Sequence, residues 1–145
     1  MNILVVNGPN LNLLGEREPE IYGRDTLDQL MLWLETTPEA AGQKFKFYQS
    51  NHEGELINII HDERHWADGI LINPAAYTHY SYALRDTIAA VALPTVEVHL
   101  TDINYREEFR QVSVIANVCI GRSVGLGKNS YLEGLKLLLE NLDSD

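Results

Sequence analysis

Ile3-Leu4-Val5-Val6-Asn7-Gly8-Pro9-Asn10 is the stretch that decides how the rest of the chain is read. Four consecutive apolar residues, two of them valines, suit a strand covered on both faces; a strand with one wet face would alternate. The run stops at Asn7-Gly8-Pro9-Asn10, where glycine admits unusual dihedrals and proline removes a backbone donor. About fifteen loop residues follow before the next helical pattern, a length that marks a functional loop rather than a plain connection. They carry Asn10, Asn12, Arg17 and Tyr22, side chains that orient anions and hydroxyls or carry a proton.

Outward from this stretch, strand and helix patterns alternate. Thr26-Leu27-Asp28-Gln29 reads as a capping box ahead of a helix with Leu27, Leu30, Met31 and Leu34 on one face, ending near Pro38. Phe45 and Phe47 alternate with Lys44, Lys46 and Tyr48 in a second strand, and Ser50-Asn51-His52-Glu53 reads as another capping box before Leu56, Ile57 and Ile60. Residues 68–73 give a third strand, and Leu84, Ile88 and Val91 a third helix. Thr95 to Leu100 alternates, with Val96, Val98 and Leu100 on one side and Glu97 and His99 on the other. Tyr105 to Arg110 reads as a short helix, Val118 to Ile120 as a fifth strand, and Leu132, Leu135, Leu139 and Leu142 as the stripe of a terminal helix. Five strands joined through helices imply right-handed crossovers, and therefore an α/β, flavodoxin-like three-layer sandwich around a five-stranded parallel sheet.

At 145 residues, 45% hydrophobic and 22% charged, the chain suits one soluble domain over residues 1–145. Its apolar runs are too short to cross a bilayer, and strand residues follow Met1-Asn2 directly, so a cytoplasmic location is expected. A single cysteine, Cys119, excludes an internal disulfide and argues against a cysteine-based metal site. A formal charge of −10 makes nucleic acid and anionic membranes poor partners.

In such sheets ligands sit beyond the carboxyl ends of the strands. That rule selects Asn7 and Asn10, Asn51 and His52, Asn73 through His79, and Glu97 through Thr101. Tyr22 and Arg17 form the most suggestive pair, since a phenol acts as a base at neutral pH only when a cation stabilises its anion. The plainer alternative has Arg17 paired with Glu16, Glu18 or Glu20 while Tyr22 packs the loop down. Asn73 and His79 either contact a ligand or belong to a hydrogen-bonded loop. Glu97 and His99 face the same way, so the carboxylate can orient the imidazole, and an acid beside a histidine on a buried strand is costly unless used. Arg106 and Arg110 either clamp an anion and shield the tyrosine or lie on a solvated face beside Glu107 and Glu108. His61-Asp62-Glu63-Arg64-His65 lacks the residues of a metalloprotease motif and reads as an exposed helix face; Gly125-Leu126-Gly127-Lys128 departs from the phosphate-loop spacing.

These motifs, in this order, closely resemble the type II 3-dehydroquinate dehydratase family. The resemblance runs through Asn7-Gly-Pro-Asn-Leu-Asn-Leu-Leu-Gly15, Arg17-Glu-Pro19, Tyr22-Gly23, Gln49-Ser-Asn-His-Glu-Gly54, Asn73-Pro74, Tyr77-Thr-His79, Glu97-Val-His-Leu100 and Arg106-Glu-Glu-Phe-Arg110. It implies anti elimination of water from 3-dehydroquinate through an enolate, with no metal, cofactor or Schiff base. By resemblance, Tyr22 is the base, Arg17 stabilises its anion, Asn10 positions a water at the enolate oxygen, and His99, oriented by Glu97, protonates the departing hydroxyl. Asn73, His79, Leu100, Thr101 and Arg110 would hold the substrate, and Asp86 would reach a neighbouring subunit's site in a dodecamer built from trimers. Departures from the family pattern fall at Ala75, Ala76, Tyr80, Thr101-Asp102, Ala116-Asn117 and Cys119. Two other functions compete with this one, a non-catalytic flavodoxin-like small-molecule binding module and a Schiff-base lyase; the lysines at 44, 46, 128 and 136 lie away from the motifs.

Overall fold

The computed structural model describes residues 1–144, so Asp145, the end of the expected domain, lies outside the described residues. Its strands are β1 (Asn2–Asn7), β2 (Lys44–Gln49), β3 (Gly69–Asn73), β4 (Thr95–His99) and β5 (Gly121–Val124). The helices are α1 (Pro19–Tyr22), α2 (Leu27–Thr36), α3 (Glu53–Glu63), α4 (Tyr82–Val91) and α5 (Asn129–Asp143). All pairings are parallel and the strand order is β2-β1-β3-β4-β5, the doubly wound flavodoxin-like arrangement expected from the alternation.

The apolar run of β1 serves two cores at once. Ile3 and Val5 point to α2 and α5 and pack with Leu30, Leu34, Leu135 and Leu138. Leu4 and Val6 point to α3 and α4 and pack with Leu56, Ile60, Leu84 and Ile88. All four side chains are fully buried. Each such burial contributes about 2 kcal/mol, so an unbroken apolar strand at this position is physically demanded. The Thr26 capping box forms as read, with Thr26 Oγ1 accepting from Gln29 N–H and the Gln29 side chain accepting from Thr26 N–H.

Four local expectations are corrected. No capping box forms at Ser50, because the helix begins at Glu53 itself, two residues later than the motif requires. Ser50 Oγ accepts from His52 N–H, and the Glu53 carboxylate accepts from Ser81 at the start of α4. The fifth strand lies at Gly121–Val124, not 118–120; residues 116–118 form a 3₁₀ turn. An edge strand pairs on one side only, so its register with β4, rather than an apolar run, defines it. Residues 105–110 do not form one helix: 3₁₀ turns at Ile103–Tyr105 and Glu108–Gln111 are separated by an extended Arg106. The buried face of α5 is Tyr131, Gly134, Leu135 and Leu138, rotated from the leucine stripe. Gly134 sets that rotation, because a Cβ there would stand 2.9 Å from Val98 Cγ2.

No helix among the described residues is long and apolar enough to cross a membrane.

Candidate active site

The loops leaving β1 and β3 meet at the point where the strand order reverses. Gly8 N–H donates to the Asn73 carbonyl at 2.8 Å, and a Cβ on Gly8 would lie 2.5 Å from the Pro74 carbonyl oxygen, so only glycine permits this approach. Asn10 follows in the left-handed region at φ 70°, its N–H held by Asn51 Oδ1. Gln49 braces the same turn by donating to the Gly8 carbonyl. Asn51 therefore supports the loop from behind. Neither it nor His52 lines the cavity, although the sheet-edge rule selects both.

Beyond Asn10 the chain forms a strap, with a 3₁₀ turn at Leu11–Leu13 and then α1. Leu11 and Leu14 anchor it in the core. Gly15 and Gly23, both at positive φ, flank the part that carries Arg17 and Tyr22. Two guanidinium groups lie over the Tyr22 ring, with Arg17 Cζ at 4.6 Å and Arg106 Cζ at 5.5 Å from its centroid. Arg106 Nη1 also donates to the Tyr22 hydroxyl at 3.1 Å and to Thr101 Oγ1 at 3.3 Å. A charged donor on a phenol oxygen stabilises negative charge there. Arg106, left between clamp and solvated face by its spacing, makes the direct contact; Arg17 stacks on the ring.

From β4 comes the second half of the site. His99 Nε2 stands 2.6 Å from Glu97 Oε2, and Glu97 has no exposed surface. The carboxylate also accepts from Thr78 Oγ1 and from Ser113 Oγ at 2.8 Å, and Arg122 Nε reaches its other oxygen at 3.3 Å. Burial alone would raise the Glu97 pKa, but the hydrogen bonds from His99, Thr78 and Ser113 and the imidazole's charge outweigh it, and the net shift is downward. Glu97 is thus a buried anion with a full set of donors. Thr78 falls within the stretch Asn73 through His79 that the sheet-edge rule selects, though with no role assigned to it, whereas Ser113 and Arg122 escaped the sequence reading. The one sequence signal for Arg122 is its pairing with Glu97 in the β4–β5 register, which a misplaced fifth strand hides.

His79 Nδ1 lies 2.7 Å from the Val112 carbonyl and must donate to it, since a carbonyl only accepts. Burial lowers the His79 pKa, and nearby His99 and Arg110 lower it further against the Val112 bond and Glu97. A neutral ring with its proton on Nδ1 leaves Nε2 as an acceptor. Asn73, only 3% exposed, has Oδ1 bonded by Ala75 N–H at 3.1 Å.

Together Asn10, Arg17, Tyr22, Asn73, His79, His99, Leu100, Thr101, Arg106 and Arg110 line one cavity of about 130 Å³, with Pro9, Ala75 and Ala76. Three arginines at one opening form a local positive field in a chain of net charge −10. Of the residues singled out by sequence, Glu97 lies just behind His99. Asp86 lies on the exposed face of α4 and does not line the cavity.

The two rejected motifs have other uses. In residues 61–65, Glu63 pairs with Lys46 at 2.8 Å and Arg64 donates to the His61 carbonyl, and no group of three or more metal-ligating side chains occurs among the described residues. In residues 125–128, Gly125 and Gly127 N–H donate to the carbonyls of His99 and Leu100, while Lys128 covers the Trp33 ring. Burial pushes the Cys119 thiol up to about 12, which removes it as a nucleophile.

A phenol under two guanidinium groups, facing a carboxylate-backed imidazole across a cation-rimmed cavity, equips an enzyme to move protons on a bound anion. The chain belongs to the class II dehydroquinase family, whose model matches residues 1–139. It is 56% identical over 142 residues to a 3-dehydroquinate dehydratase of Carboxydothermus hydrogenoformans, covering 98% of this chain and 92% of that protein. Against the 3-dehydroquinate dehydratase of Trichodesmium erythraeum it is 55% identical, covering 97% and 94%. Its fold matches the crystal structure of a type II dehydroquinase from Butyrivibrio crossotus with TM-score 0.92 and 45% identity, covering 96% of this chain and 97% of that one.

Proposed function

We propose that residues 1–145 form one catalytic domain that dehydrates 3-dehydroquinate to 3-dehydroshikimate by anti elimination. The enzyme class is hydro-lyase, acting in the shikimate pathway. One observation carries the mechanism: the Tyr22 hydroxyl, under Arg17 and Arg106, and the Glu97-backed His99 open on the same cavity.

Tyr22, as its anion, removes the proton beside the ketone, and the electron pair passes into the carbonyl to give an enolate. Asn10 holds a water against the enolate oxygen. The enolate then expels the hydroxyl at the adjacent position; the C–O bond breaks, His99 supplies the proton, and water leaves. Glu97 keeps His99 oriented and offsets its charge while it carries that proton. Asn73, His79, Thr101, Arg110 and the Leu100 backbone hold the substrate's carboxylate and hydroxyls. The strap from Gly15 to Gly23 acts as a lid that carries the base and excludes water. Imine formation has no amine at hand, since no lysine lines the cavity among the described residues.

The same reading places the enzyme in the cytoplasm as a homo-oligomer, a dodecamer of trimers. It is supported by the exposed aromatic residues Tyr80, Tyr82 and Phe109, and by an exposed Asp86 free to enter a neighbouring subunit's site. The test is an ultraviolet assay for the conjugated enone formed from 3-dehydroquinate; a purified protein that yields none defeats the proposal.

A further inference from the structure

Asn7 and Asn73 are register partners on β1 and β3 at the reversal of the sheet. Between their side chains stands the hydroxyl of Tyr131, reaching down from α5 on a ring with no exposed surface. One backbone group determines the polarity of everything connected to it. Ala75 N–H can only donate, so the Asn73 atom 3.1 Å away must be Oδ1. Asn73 then turns its nitrogen to Tyr131, at 3.0 Å. The tyrosine oxygen accepts that bond, and its single proton goes to Asn7 Oδ1 at 2.7 Å. Asn7 in turn presents its nitrogen to the Met31 sulfur at 3.6 Å. Burial raises the Tyr131 pKa, which keeps the proton in place.

The Asn73 amide has a second N–H. It has no protein acceptor among the described residues, and Asn73 lines the cavity. Reversing the amide would set its oxygen against the Tyr131 oxygen and its NH₂ against Ala75 N–H, losing both bonds.

We propose that Tyr131 is a positioning residue that locks Asn73 with an N–H toward the cavity, so that Asn73 recognises an acceptor oxygen of the substrate. This rests on the proposed function, in which the ligand is a hydroxylated cyclic carboxylate. Tyr131 touches no substrate. Its effect on binding passes wholly through Asn73.

Three variants, Tyr131→Phe, Asn73→Ala and their combination, test this in the enone assay. Tyr131→Phe is expected to raise KM about tenfold, the worth of one well-made hydrogen bond, with kcat within about threefold of the parent. The double variant is expected to match Asn73→Ala within about twofold, because the tyrosine has nothing left to position. A wild-type KM in Tyr131→Phe, or effects that multiply in the double variant, would overturn the proposal; loss of packing alone lowers Tm without this coupling. A second measurement uses the unaltered protein and does not depend on the variants folding. By NMR the Tyr131 hydroxyl proton should be in slow exchange, and added 3-dehydroshikimate should shift the second Asn73 side-chain amide proton. An unprotected hydroxyl or an unshifted amide proton would overturn the lock. Absence of turnover in the wild type defeats the proposed function instead, while the hydroxyl proton still judges the lock.

Discussion

Arg106 Nη1 donates a hydrogen bond to the Tyr22 hydroxyl at 3.1 Å, joining residues 84 apart in sequence. The strap is thus held against a cation supplied by the loop after β4, while Arg17 reaches the same ring from the strap itself. Tyr22→Phe removes the proton acceptor and leaves the ring in contact with both guanidinium groups. It should bind 3-dehydroquinate with a Kd within a few-fold of the parent while kcat falls by about 10³ or more. Equilibrium binding and the enone assay check this, and near-normal turnover would remove Tyr22 from the base's role.

Glu97→Gln removes the charge behind His99 and keeps the side chain's shape. Turnover should drop by about 10–100-fold with little change in KM, since the carboxylate acts through the imidazole. The folded-state pKa of Glu97 lies below its ordinary value of 4.5, so the carboxylate contributes stability that is present above that pH. That stability is lost as pH falls through the lower folded value. Acid unfolding followed by circular dichroism should therefore be less steep in the Gln variant.

His79 responds to pH in the same direction, in a higher window. Its folded pKa lies below 6.5, so the unfolded chain binds the extra proton more readily and stability falls as pH drops below 6.5. His79→Asn should flatten that part of the stability profile and raise KM through loss of the Nε2 acceptor. A profile that keeps its slope in the variant would assign the titration to another group.

Two backbone positions near the site should respond in opposite directions. Gly8→Ala forces a methyl group onto the Pro74 carbonyl and should lower Tm by several degrees, on the order of 1–3 kcal/mol for an overpacked contact, and disturb turnover through Asn10. Ala75 sits at φ 52°, where glycine carries no steric penalty. Ala75→Gly should preserve Tm or raise it slightly, provided its N–H keeps Asn73 in place. Thermal melts of the two variants separate the effects.

Borohydride added with 3-dehydroquinate should leave activity intact, because no lysine among the described residues lines the cavity to form an imine with the ketone. Inactivation accompanied by a mass increase on a lysine would overturn the enolate route.

Alternation of strand and helix patterns was legible because each rests on local contrast between apolar and polar neighbours. Ile3–Val6 announced a doubly covered strand, Thr26–Gln29 a helix start, and Glu97 and His99 a shared strand face. Each reading needs only a few consecutive side chains. The weak edge strand at Gly121–Val124 has no such contrast; its position is set by hydrogen bonds to β4. With that strand displaced by three residues, Arg122 could not be recognised as the partner of Glu97.

By itself, then, the chain's order of residues determined the parallel sheet, the sheet edge where a ligand would bind, and the motifs that carry the family resemblance. Tertiary structure decided which of two arginines bonds the Tyr22 hydroxyl, which donors hold Glu97, and which end of Asn73 faces the cavity. Periodicity records whether a side chain points inward, and that is a property of a short segment. A hydrogen bond between Arg106 and Tyr22, or between Tyr131 and two asparagines, depends on distances between segments that meet only after the cores on both sides of β1 have formed.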